Sequence, residues 1–210
     1  MRTEETEALF TRSDGSYAFA RWGRPVAPVV FGVTDETLSV VKGALEAVMA
    51  LCGHQMAETD PELGSNMMIF FFREWDELPE VPGLDRLIHD LGPLVARLKE
   101  ADANQYRVFH FDAAGAIKAC FVFLRMDENL GAVPAETLAL SQIVQSVLLW
   151  SDTAFRKTSP LAVSGDRTIL RPAIAALLRA AYDPVMPAVA NDPSHALRLS
   201  ARLQAPRQAC

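Results

Sequence analysis

Four polar residues in one segment have the spacing that could do chemistry: Ser141, Gln142, Gln145 and Asp152, within residues 136–152 (ETLALSQIVQSVLLWSD). If the segment is one helix, Ser141, Gln145, Leu148 and Asp152 fall at i, i+4, i+7 and i+11 on one face. Leu140, Ile143, Val144 and Val147 fall on another face that would pack on a sheet. Two side chains at i and i+4 can clamp one zinc ion, with a carboxylate between them as general base. Here the clamp positions are Ser141 and Gln145, which bind zinc poorly. The base position is Gln142, an amide that accepts no proton at neutral pH. The face is therefore expected to hold no metal and no catalytic residue. Pattern alone reads it as the solvated side of an amphipathic helix, with Asp152 hydrogen-bonding the loop that follows.

The remaining reactive side chains are scattered. His54, His89, His110 and His195 form no i, i+4 pair with a carboxylate partner. Cys52, Cys120 and Cys210 form no C-x-x-C, so neither a zinc knuckle nor a redox pair is signalled. Cys52 and Cys120 sit in apolar patterns and read as buried thiols, and the terminal Cys210 as exposed. Cys52-Gly53-His54 puts a thiol beside an imidazole, but a glycine between them at a helix end reads as a C-cap. No G-x-S-x-G, Walker loop or G-x-G-x-x-G occurs. No cofactor is expected.

Composition narrows the class further. The 210 residues are 50% hydrophobic and 22% charged, enough for one sizeable core. Net charge is -6 and no Lys/Arg run is present, so nucleic acid is not an expected partner. No apolar stretch reaches the ~18 residues of a membrane span. The start, MRTEETEALF, lacks an apolar signal core, so the chain as written is expected in the cytoplasm, and outside it if a leader has been removed.

These residues need elements to hold them. Residues 1–15 are polar and expected to be a flexible segment ahead of a single domain, 16–210. Residues 16–22 predict a short strand. Residues 25–33 (PVAPVVFGV) predict a strand whose prolines favour an edge. Thr34 or Asp35 caps a helix to Cys52, stopped by Gly53, with Leu38, Val41, Leu45, Val48 and Cys52 as its stripe. Residues 66–72 (NMMIFFF) predict a buried strand, and 74–82 an acidic loop holding Trp75. Residues 84–101 are helical in pattern, kinked or restarted at Pro93. Residues 106–111 and 117–126 predict a hairpin turning at Gly115, its second strand apolar on both faces and central. Pro134 opens the 136–152 helix and 153–167 reads as a loop. Pro172 and Asp192-Pro193 open two further helices. The order gives an α+β domain with a mixed sheet of about four to five strands packed by helices.

At three places the chain resembles a bacterial family of uncharacterised domains that is itself similar to zincin metalloproteases. Arg21-Trp22 followed by Pro25-Val26 matches the family's approach to its first strand. Gln145-Ser146-Val147-Leu148-Leu149 with Ser151-Asp152 matches the second half of its helix. Leu177-Leu178-Arg179-Ala180-Ala181-Tyr182-Asp183-Pro184 matches its downstream segment. The resemblance spans most of residues 17–203. It implies a zincin-like fold with the active-helix equivalent after the last strand. It also implies that 159–166 stands where a turn underlies the metal. The departures fall on the chemistry: the family's two Glu are Ser141 and Gln142 here, its Gly is Leu148, and its Asn is Ser151. Arg179, Tyr182 and Asp183 are expected to tie the penultimate helix to the core through a structural network with a buried Arg–Asp pair.

The functional expectation is a non-catalytic binding or scaffolding module for an unknown protein or peptide partner, in a cleft between a sheet edge and the helix. The alternative is a hydrolase that pairs Asp152 with His54 or His110 across the fold. A third reading is a structural or regulatory partner protein, dimeric through Trp75 and the acidic loop. Ligand, process and oligomeric state are not set by the sequence.

Overall fold

A computed structural model describes residues 1–165 and 167–204. Its centre is a four-stranded mixed sheet built from β2 (Pro28–Phe31), β3 (Met67–Phe72), β4 (Gln105–Phe111) and β5 (Ile117–Arg125), in the order β2-β3-β5-β4. β2, β3 and β5 are parallel, and β4 runs antiparallel to β5 at the far edge. Helices cover both faces, so the domain is α+β.

Two-residue alternation decides which side chain serves which face. On one face Met67, Ile69, Cys120, Val122 and Leu124 meet α2 (Asp35–Cys52), α6 (Ala135–Ser146), α7 (Pro172–Ala181) and α8 (Ser194–Gln204). On the other, Phe70, Phe72, Phe121 and Phe123 meet a 3-10 helix (Trp75–Glu80), α3 (Leu84–Leu87) and α4 (Leu91–Glu100). This explains the unbroken apolar run of β5, which is central and buried on both sides. β2 is the opposite edge, where its one proline, Pro28, is tolerated.

Local signals set most boundaries. Thr34 Oγ1 accepts from Thr37 N at the start of α2, and Gly53 ends it at φ +63. Pro93 does not kink a long helix: the chain turns through Asp90 at φ +59 and restarts as α4. The β4–β5 turn is held by Asp112, whose Oδ1 accepts from Ala114 N and Ala116 N, with Gly115 at φ +86.

Four expectations are corrected. Residues 1–15 are not loose: α1 (Thr3–Ala8) forms, Ser200 Oγ of α8 donates to Thr6 Oγ1, and Phe10 is fully buried between Tyr17, Phe19 and Trp150. Only Phe10 betrays this locally, because Trp150 and Ser200, which help hold the segment, are distant in sequence. Trp75 is not an exposed anchor; it is buried and its Nε1 donates to Ala103 O at 2.7 Å. The 153–167 segment is not all loop: β6 (Leu161–Ser164) and β7 (Arg167–Leu170) pair as a hairpin. The remaining short strands β1 (Phe19–Ala20) and β8 (Val189–Ala190) pair with each other, and α5 (Glu128–Gly131) is one turn.

The fourth correction bears on the site. α6 stops at Ser146, six residues short of Asp152. Beyond it Leu148 bridges to Arg21, and Leu149 N donates to Ala20 O. The carbonyls left without helical partners are taken by aromatic donors: Trp150 Nε1 to Val144 O, Trp22 Nε1 to Ser146 O, and Tyr182 OH to Val147 O. Three scattered side chains end the helix, which no local pattern announces.

Candidate functional site

The polar face of α6 lines a groove of about 430 Å³. Its other walls include Gln105 on β4, Leu130 and Val133 ahead of α6, and the β6–β7 hairpin, which contributes Leu161, Val163 and Thr168. Thr137 Oγ1 donates to Thr168 Oγ1 at 2.8 Å and ties the hairpin to the first turn of α6. Ser141, Gln142 and Gln145 all reach the groove, together with Ser159 and Arg171. The size lies within the roughly 300–1,000 Å³ of small-ligand sites. Its polar side chains are amides, hydroxyls and one guanidinium, with no carboxylate, imidazole or thiol in the lining.

Below the groove sits a residue the sequence reading missed, Arg107. Side chains at 105, 107 and 109 of β4 face α6, whereas Tyr106 and Val108 face α4. Arg107 therefore points inward from an edge strand. Its Nη2 donates to Gln142 Oε1 at 2.6 Å and its Nε to Ser146 Oγ at 3.0 Å. Gln142 Nε2 in turn donates to Gln105 Oε1 at 3.0 Å, joining helix to edge strand. Ser146 Oγ donates back to Gln142 O at 2.7 Å. Gln142 is thus buried in a network. No Asp or Glu oxygen lies within salt-bridge distance of Arg107 among the described residues. Burial pushes its pKa below the ordinary guanidinium range, since a charge taken from water is disfavoured unless compensated. The signal in the sequence was an Arg in the inward phase of the alternating run QYRVFHF.

The donor set does not fit a metal. Ser141 and Gln145 are bonded to each other, Gln145 Nε2 to Ser141 Oγ at 3.1 Å. Gln142 turns its one good acceptor oxygen to a guanidinium, whose positive charge opposes a cation at the same point. Among the described residues no cluster of three or more His, Cys, Asp or Glu is arranged to hold a metal ion.

Asp152 lies outside this site. It is exposed, accepts from Ser13 N at 2.8 Å and faces Arg156 at 3.6 Å. Hydrogen bonds from Ser13 hold its carboxyl below the usual range. No hydrogen bond or ion pair joins it to a histidine among the described residues. His54 Nε2 contacts Arg24 O at 2.9 Å, and its ring packs edge-on against Tyr182. His110 packs edge-on against Phe121 on the other face of the sheet. Burial lowers the pKa of both imidazoles.

The 177–184 motif is half of the expected network. Tyr182 does tie α7 to the end of α6 through Val147 O at 2.6 Å. Asp183, however, pairs with Arg202 of α8, and Arg179 is exposed. The pair is partly solvated and was misread because Arg202 lies outside the motif. In 159–166, Ser159 O accepts from Arg171 Nε at 2.7 Å, which closes the base of the hairpin; Asp166, like Cys210, lies outside the described residues. No helix among the described residues is long and apolar enough to cross a membrane.

No family model, no curated protein and no solved structure matches this chain.

Proposed function

We propose that this is a zincin-like domain without metal chemistry that works as a binding module, taking an extended protein or peptide segment along β4. The zincin-like part is supported by order: parallel strands, an antiparallel edge strand, and then α6 after the last strand, carrying the positions where that family has its active helix. The binding part is carried by one observation. The free edge of β4 and the polar face of α6 border the same groove.

The free edge has a definite pattern. Arg125 N donates to Asn104 O at 2.8 Å, and these residues are opposite in the β4–β5 register. Hydrogen-bonded pairs recur every second residue in an antiparallel ladder, so even-numbered residues of β4 bond to β5. The N–H and C=O of Gln105, Arg107 and Phe109 point to the open side. An added strand would take its main-chain bonds there, and its side chains would enter the groove at every second position.

A hydrolase built on Asp152 and a histidine has no observation in its favour. The pair it needs is not formed, and Asp152 already accepts from a backbone amide.

The test is amide exchange followed by NMR while a pool of blocked nonapeptides of alternating polarity is added. Slowed exchange at Arg107 and Phe109, lost when Ser141→Phe fills the groove, is the expected result. Unchanged exchange along β4, or protection indifferent to Ser141→Phe, overturns the reading.

A further inference from the structure

Arg107 carries a formal charge with only neutral acceptors around it, the amide of Gln142 and the hydroxyl of Ser146. Its third nitrogen, Nη1, donates to no group among the described residues. Arg107 is partly buried, and a charge drawn even partly out of water is ordinarily paired, because lost hydration is best offset by an opposite charge. The guanidinium is therefore held in position by groups that leave its charge uncancelled. Arg107 lies beneath the lining, behind Gln142; Arg171 supplies a positive charge on the groove wall itself, and it too forms no ion pair among the described residues, its Nε being used on Ser159 O. The groove lining offers no carboxylate to either. A positive groove on a chain of net charge -6 is a local feature, not a reflection of composition.

We infer that the bound segment carries an acidic side chain, Asp or Glu, at the residue directly opposite Arg107. This rests on the strand-addition reading above and names the chemistry of its ligand. Geometry selects a side chain over a chain terminus. Arg107 is the third residue of a seven-residue strand, so a segment paired with β4 runs past it in both directions. Residues opposite each other in a ladder project to the same face, with Cβ atoms about 4.5–5.5 Å apart. An acidic residue opposite Arg107 enters the α6 side of the sheet beside the guanidinium. It can there accept the Nη1 donor and the charge-assisted bond that Gln142 now supplies without charge. The positions two residues away on the same face lie opposite Gln105 and Phe109. The first is exposed and suits a polar side chain, and the second packs on the core and suits an apolar one. The pattern is thus apolar, any, acidic, any, polar, in one direction or the other.

The probe is three pools of nonapeptides, acetylated and amidated so that no terminal carboxylate is present, with alternating randomised positions and the centre fixed as Glu, Gln or Lys. Binding is read by fluorescence anisotropy of a labelled N-terminal linker and by shifts of the Gln105, Arg107 and Phe109 amides. The Glu pool is expected to bind about tenfold or more tighter than the Gln pool, since charge-assisted bonds are roughly twice as strong as neutral ones. The preference should fall with added salt and vanish in Arg107→Gln. Equal binding of the Glu and Gln pools, with the amide shifts retained, overturns the acidic-ligand inference and leaves strand addition standing. Tighter binding of a fourth pool with a neutral centre and a free C-terminal carboxylate overturns it in favour of a chain terminus. Absence of amide shifts with every pool overturns strand addition itself. Arg107→Lys, which keeps the charge, guards against a fold defect: it should retain part of the Glu preference.

Discussion

The indole Nε1–H of Trp22 donates to the main-chain carbonyl of Ser146 at 3.0 Å, and both residues are completely buried. The bond ties the chain before β2 to the last residue of α6, 124 positions away. Ser146 in turn holds Arg107 through its hydroxyl, so the position of that guanidinium beneath the groove depends on where α6 stops. Trp22→Phe keeps most of the ring but orphans a carbonyl that water does not reach. The expected cost is about 1–3 kcal/mol for the unsatisfied group, in addition to lost packing. Trp150→Phe removes a similar bond, to Val144 O, but from a partly exposed ring, so less packing is lost with it. Urea denaturation should rank Trp22→Phe well above Trp150→Phe; equal losses would show that Trp22 matters only as bulk.

Acid should weaken the fold through His195. This imidazole is buried on α8, its Nδ1 meets Tyr17 OH at 2.8 Å, and its Nε2 has no partner. Burial pushes its pKa down to about 4. The folded value is thus below the unfolded value of about 6.5, so the unfolded chain binds the proton first. The contribution is fully present above about pH 6.5 and is lost as pH falls towards 4, with a size on the order of 3 kcal/mol. Other carboxylates and His54 titrate in both proteins, so the informative quantity is a difference. His195→Gln should show a shallower loss of stability than the wild type between pH 6.5 and 4. Parallel curves would place the acid sensitivity elsewhere.

Gly32 follows β2 at φ +79, and a Cβ built there would stand 2.2 Å from the carbonyl oxygen of Phe71. The obstacle is backbone of the central sheet, which cannot swing aside. Gly32→Ala meets both this clash and an unfavourable φ, and should destabilise by about 2–4 kcal/mol. Gly53→Ala, also at positive φ but with open space around it, should cost about 1 kcal/mol. Thermal melts of the two variants separate the clash from the dihedral.

Cys52 and Cys120 are buried, and burial pushes each thiol up to about 12. The thiolate is the reactive form. With Cys210→Ser in place, Ellman's reagent should find no fast thiol in the native protein and two in denaturant. A rapid native reaction would mean that α2 or β5 opens readily.

How much of this was legible varied with the range of the interaction. α2, β3, the β4–β5 hairpin and α7 were readable because caps, prolines and apolar periodicity act within a few residues. The end of α6 was not, because Trp22, Trp150 and Tyr182 stop it from outside. The β6–β7 hairpin was missed because its strands are short and lack an apolar alternation of their own, and they rest on α6 through Thr137 and Thr168. For the site, helical spacing grouped Ser141 and Gln145 on one face, and both line the groove together with Gln142. Asp152 was grouped with them only by extending the helix too far. Gln105 completes the groove and Arg107 supports Gln142 from beneath it, both on a strand about 35 residues earlier, and no spacing rule joins a helix to a strand.

Arg107 also yields the prediction that best separates a functional residue from a structural one. A guanidinium that held the fold together would cost dearly when removed, as buried paired charges do, about 3–5 kcal/mol. Here no opposite charge would be stranded by its removal. Arg107→Met replaces a partly buried, unpaired charge with an apolar chain of similar length. Ser146 Oγ keeps its bond to Gln142 O, and Gln142 can reach water through the groove it lines. The gain from removing the charge and the loss of two hydrogen bonds oppose each other, so stability should stay within about 1 kcal/mol of the wild type. Urea denaturation at neutral pH measures this directly. Near-neutral stability together with loss of the preference for acidic peptides would mean that Arg107 is kept for its ligand. A loss above about 3 kcal/mol would make it a fold-holding residue and remove the energetic ground for an anion seated against it.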